Sequence, residues 1–64
     1  MTSYCIRRVG TEIYCGWQDS MLFWTIEKHR HTFTARQHAL DHIAYLESIR
    51  PHLKSQLEVI EAND

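Results

Sequence analysis

The hydrophobic pattern of this chain changes period once, between Phe33 and Gln37, and that switch restricts the fold to strands followed by helix. Upstream, residue types alternate two by two over residues 3–9, 12–17 and 21–28, which predicts three strands. Gly10 and Thr11 separate the first two runs and suit a type II′ hairpin turn. That turn places Val9 opposite Glu12, Arg8 opposite Ile13, Ile6 opposite Cys15 and Tyr4 opposite Trp17. Tyr4, Ile6, Ile13, Cys15 and Trp17 then share one apolar face. Gln18, Asp19 and Ser20 make a second turn, and the expected sheet is a three-stranded antiparallel meander.

Downstream, Thr34 followed three residues later by Gln37 has the form of a capping box, which satisfies two helix-start amides reciprocally. Ala35, Ala39, Ile43 and Leu46 follow on one helical stripe, with Leu40 at its margin, so a helix is expected over 35–49. Pro51 disfavours helical geometry at Arg50 and suits the first turn of a new helix. A second helix is therefore expected over 51–61, with Leu53, Leu57 and Ile60 as its stripe. The fold class is α+β, and 64 residues leave room for one domain, spanning 1–64, that buries roughly 60% of its unfolded surface. Usage that is 44% hydrophobic and 23% charged fits a globular chain.

Charge limits the partners. A formal net charge of −1 gives no global attraction for phosphate. The balance is uneven, with five basic against three acidic residues in 1–36 and two against five in 37–64. No run approaches the roughly 18 apolar residues of a membrane span, and Met1 leads into a strand-like run without a signal-peptide core, so a cytoplasmic protein is expected.

In the expected register Cys5 and Cys15 point to opposite faces, which precludes a disulfide between them and leaves two reduced thiols. Five histidines are many for this length: His29 and His31 share a strand face, and His38 and His42 share a helix face. Two such pairs together would suit zinc, nickel or copper, but no known ligand spacing joins them, and no metal or other cofactor is expected. The simpler reading leaves these imidazoles exposed or flanking the buried stripe, able to titrate between about pH 5 and 7. No Gly-rich phosphate loop, paired carboxylates or serine elbow is present, and no enzymatic activity is expected.

What remains is surface. The sheet face opposite Tyr4, Ile6 and Trp17 carries Arg7, Tyr14, Phe23 and Thr25, a composition suited to a protein interface or to stacking single-stranded bases. Whether the second helix covers that face stays open at this level. The run from Tyr4 to Gly10, a second strand ending at Trp17, a tryptophan-bearing third strand and the segment from Phe33 to Ala39 resemble small orphan proteins of phages and mobile elements, including anti-CRISPR inhibitors. The resemblance spans residues 4–46 and is one of size and layout. It implies a cytoplasmic, non-enzymatic protein that binds a host protein complex, such as a CRISPR-Cas component, and blocks its nucleic-acid or effector surface. The expected function is accordingly a protein-binding module, contacting its partner through Arg7, Tyr14, Phe23, Thr25 and Arg36, with a homodimer also possible. A small nucleic-acid-binding regulator and a histidine-rich metal-binding protein are the alternatives.

Overall fold

A computed structural model describes residues 2–63. Five strands and one helix follow in order: β1 (Thr2–Arg8), β2 (Tyr14–Gln18), β3 (Met21–Thr25), β4 (Thr32–Phe33), α1 (Arg36–Ile49) and β5 (Leu57–Asn63). Two 3-10 turns, Glu27–His29 and Pro51–Leu53, lie between them. The α+β class is as the sequence indicates, but the sheet is larger than a three-stranded meander.

β1 is the centre of the sheet. On one side it pairs antiparallel with β5 along its whole length, from Thr2↔Asn63 to Arg8↔Leu57. On the other it pairs first with β2, at Arg7↔Tyr14, and then with β4, at Tyr4↔Phe33 and Cys5↔Thr32. β4 enters where β1 and β2 diverge, and the His31 amide donates to the Cys15 carbonyl at 3.0 Å to close that gap. β3 pairs only with β2, from Gln18↔Met21 to Tyr14↔Thr25, and forms an outer edge.

The expected second helix is a strand. After Pro51–Leu53 the chain reverses at Ser55, whose φ is +63°, and runs on as β5. A central strand left with one bare edge would bury unpaired amides, and β5 supplies their partners. Its sequence also serves a sheet with two apolar faces. Leu57 and Val59 pack on the helix side, while Ile60 packs on the other. Tertiary pairing therefore overrides the helical spacing of Leu53, Leu57 and Ile60.

Three local expectations are also corrected. The first turn is wider than a two-residue hairpin: the Thr11 amide donates to the Arg8 carbonyl, and Gly10 takes φ +76° at the third of four turn positions. The Thr11 hydroxyl then receives the Ile13 amide at 3.1 Å, which leaves Ile13 exposed rather than in the apolar face. The third strand stops at Thr25 instead of 28, because the chain turns through Glu27–His29 to deliver β4. Finally, Thr34 does not cap the helix. Ala35 is the N-cap, its carbonyl receives the His38 and Ala39 amides, and Gln37 bonds Asp41 at 3.0 Å. By contrast Asp19 and Ser20, with φ of +53° and +61°, form the tight second turn where it was expected.

α1 lies on the sheet face that carries Ile6 and Cys15, and these two side chains are buried with Ala39 and Leu46. Tyr4, Trp17, Leu22, Phe33, Ile43, Leu57 and Val59 close around them. Leu53 is buried in the 3-10 turn that packs against α1. The opposite face holds a smaller cluster of Cys5, Tyr14 and Ala62 beside Ile60.

Candidate functional site

β3 forms an apolar edge. Met21 is 68% exposed, Phe23 37%, and Ile26 just beyond the strand 61%. Strands at a sheet edge offer unpaired backbone groups, and proteins usually blunt them with charge, proline or a covering element. Met21–Thr25 contains neither charge nor proline. The outer strand β5 differs, since it carries Glu58 and Glu61.

The alternation of backbone bonds fixes which groups β3 presents. Cys15 directs its carbonyl to His31, away from β3, so Tyr14 and Gly16 direct theirs toward β3. Phe23 and Thr25 pair with them, which turns the amides and carbonyls of Leu22 and Trp24 outward along the free edge.

The side chains beside this edge are held in place. One side of the Phe23 ring lies across Gly16, where an added Cβ would come within 3.0 Å of three ring carbons. The Arg8 guanidinium sits 5.3 Å from the centre of the Trp24 ring, a cation–π contact. A shallow hollow of about 460 Å³ next to Trp24 is lined by Glu12, Ile13, Trp24, Thr25 and Ile26.

The five side chains expected at an interface fall into three groups. Phe23 and Thr25 are on the edge strand. Arg7 and Tyr14 meet each other on the face away from α1, but Tyr14 is only 5% exposed and belongs to the core there. Arg7 bonds Glu58 through Nε at 3.2 Å and Nη2 at 3.1 Å. The Glu58 carboxylate, and then the Tyr14 hydroxyl, favour its charged form. Arg36 is exposed at the start of α1, an element packed on the other face. Met21 and Ile26 were not among the expected contacts. Their signal in the sequence is an apolar run without a breaking charge.

A second concavity, of about 400 Å³, lies between the β2–β3 hairpin and residues 29–31. Trp17, Gln18, Phe23, Thr25, His29, Arg30 and His31 line it.

The histidines do not assemble into the two facing pairs that a metal would need. His31 and His42 approach each other, with ring centres 6.3 Å apart, inside an aromatic cluster. His42 meets Trp17 edge-on at 4.8 Å and lies 5.4 Å from Phe33 and 6.1 Å from Tyr45. Its Nε2 is buried without a hydrogen-bond partner, and burial, followed by the nearby His31, lowers its pKa. Among the described residues no three His, Cys, Asp or Glu side chains gather as metal ligands.

Cys5 and Cys15 are free and buried on opposite faces, as the register implies. Burial pushes the Cys15 thiol up to about 11. Burial also raises Cys5, against the opposing influence of Arg30. Neither therefore has the thiolate character of a nucleophile at neutral pH.

No family model matches the chain, and no curated protein or solved structure is significantly similar to it. The fold itself defines the class: a small α+β domain with a five-stranded antiparallel sheet and one helix among the described residues. No helix among the described residues is long and apolar enough to cross a membrane.

Proposed function

We propose that this chain is a non-enzymatic protein-binding module whose contact surface is the β3 edge with Met21, Phe23, Trp24 and Ile26. One observation carries the reading: β3 is an outer strand with an apolar sequence, an outward row of backbone groups at Leu22 and Trp24, and no charge to blunt it. An extended segment of a partner adds to such an edge by main-chain hydrogen bonds, and flanking side chains select it. Phe23 and Trp24 supply the aromatic area that dominates interface energetics. Arg7 and Thr25 extend the surface onto the adjoining face. Tyr14 contributes beneath it, by holding Arg7 in place.

The resemblance to phage and mobile-element inhibitors supports a specific partner, a host nucleic-acid-guided defence complex. The test uses the protein as bait in a nuclease-treated host lysate, beside Met21→Lys, Phe23→Lys and Arg36→Glu variants. A protein complex retained by the wild type and by Arg36→Glu, but lost by the two β3 variants, is the expected result. Equal retention by all four would remove β3 as the contact surface.

A further inference from the structure

We propose that the cleft between the β2–β3 hairpin and residues 29–31 binds a nucleotide, free or as one unit of a single strand, with its phosphate against His29, Arg30 and His31 and its base against Trp17 or Phe23. The lining combines the two chemistries such a ligand requires. His29, Arg30 and His31, three consecutive residues with cationic or N–H-donating side chains, line one side of the cleft from the two faces of the chain there, and no Asp or Glu is among the lining residues. A phosphate monoester carries about −1.5 to −2 charges and three strong acceptor oxygens. Guanidinium matches that geometry, and imidazole donates an N–H in either protonation state. On a chain of net charge −1, this is a local reversal of sign rather than a general affinity for polyanions.

The other walls are aromatic and amide. Trp17, on the α1 side, and Phe23, on the opposite face, both line the cleft and are alternative ring surfaces for a base, and Gln18 and Thr25 offer hydrogen bonds to base edges or sugar hydroxyls. The volume of about 400 Å³ is within the range of small-molecule sites, roughly 300–1,000 Å³, and toward its small end, where a single nucleotide belongs.

The walls are also fixed before any ligand arrives, which limits the ordering cost of binding. Trp17 is held by edge contacts to His42 at 4.8 Å and Tyr45 at 6.1 Å. Phe23 rests on Gly16, the one residue type that admits it there. Arg30 Nη1 donates to the Glu27 carbonyl at 2.7 Å, and its guanidinium also meets the Cys5 thiol. His31 is anchored by its amide on Cys15 and by its ring edge-on to Phe33 at 4.7 Å.

The test uses Trp17 fluorescence in a Trp24→Phe background, where Trp17 is the sole tryptophan. Adenosine monophosphate, adenosine, inorganic phosphate and a 5′-phosphorylated hexadeoxyadenylate are titrated separately. Expected is saturable quenching by the nucleotide or the oligonucleotide, at least about tenfold tighter than by adenosine or phosphate alone, because each half supplies charge-assisted bonds or stacking that the other lacks. Equal affinity for monomer and oligomer identifies a mononucleotide site, and tighter oligomer binding identifies a strand site. Either supports the proposal. Arg30→Gln is expected to weaken binding about tenfold, and His29→Gln, at an exposed position, guards against a result caused by misfolding at Arg30. No saturation by either nucleotide ligand up to about 1 mM, a free energy near −4 kcal/mol, overturns the proposal. So does binding that ignores both substitutions and added salt.

Discussion

The Phe23 ring lies across Gly16 on the neighbouring strand, so close that a methyl group at position 16 would be driven into the ring. That contact sets the direction of the most prominent aromatic residue at the β3 edge. Gly16→Ala is therefore expected to displace Phe23 and to destabilise the protein by about 1–3 kcal/mol, the usual range for forcing a methyl into a filled site. Urea denaturation measures the loss. A Gly16→Ala protein as stable as the wild type would mean that Phe23 stands away from the sheet.

β5 makes the sharpest distinction between strand and helix in the C-terminal segment. The Val9 amide bonds the Gln56 carbonyl, and alternation from there turns the Ile60 amide toward β1 and the Glu61 amide outward. Ile60→Pro should cost about 3 kcal/mol or more, while Glu61→Pro should be tolerated, since its proline removes an outward donor on an edge strand. A helix over the same residues would be broken by both, so comparable losses from the two prolines would argue against β5.

His42 gives the fold a pH dependence of definite sign. Its folded pKa lies below the ordinary imidazole value of 6.5, first because of burial and then because of His31. The folded state resists protonation more than the unfolded state, so the contribution is fully present above 6.5 and is lost as pH falls from there toward the folded value. Below that value the loss levels off. His42→Phe keeps a ring among Trp17, Phe33 and Tyr45 and should flatten this part of the stability profile. Thermal unfolding between pH 7.5 and 5 reads the difference, and parallel profiles for the two proteins would exclude His42 as the source.

Both thiols should be inert in the native protein. With Cys15 pushed to about 11 and Cys5 raised by burial, iodoacetamide at pH 8 is expected to label neither cysteine until urea unfolds the chain, and then both. Mass spectrometry counts the adducts. Rapid native labelling of Cys15 would show that the core beneath α1 opens readily.

Much of this fold can be read from local patterns, and the failures share a cause. Ala39, Ile43 and Leu46 identify the buried side of α1 because a helix packed on one face shows its stripe in sequence. The alternation around Tyr4, Ile6, Cys15 and Trp17 identifies the helix-facing side of the sheet for the same reason. The register that opposes Arg7 to Tyr14 survives even though the turn between them is wider than expected. β4 and β5 escape because each is defined by a distant partner: two residues against β1 in one case, seven in the other. In the segment from Leu53 to Ala62 helical and strand spacings overlap, and only the bare edge of β1 decides between them. Thr34 fails as a cap because extended geometry persists through Ala35, at φ −133° and ψ 140°.

The surface was legible in part. Phe23 and Thr25 follow from alternation, and the exposure of Met21 and Ile26 follows from β3 being an edge rather than an inner strand. Tyr14 illustrates the opposite error. Alternation places it correctly on the face away from α1, but its ring, buried with Cys5 and Ala62, makes that face a second small core.

Amide hydrogen exchange at Leu22 and Trp24, with and without the captured partner, tests the central claim most directly. Their outward amides should exchange rapidly in the isolated protein and become strongly protected in the complex, while Phe23 and Thr25, already bonded to β2, change little. Protection that appears instead along α1, with Leu22 and Trp24 unchanged, would contradict a β3 edge interface.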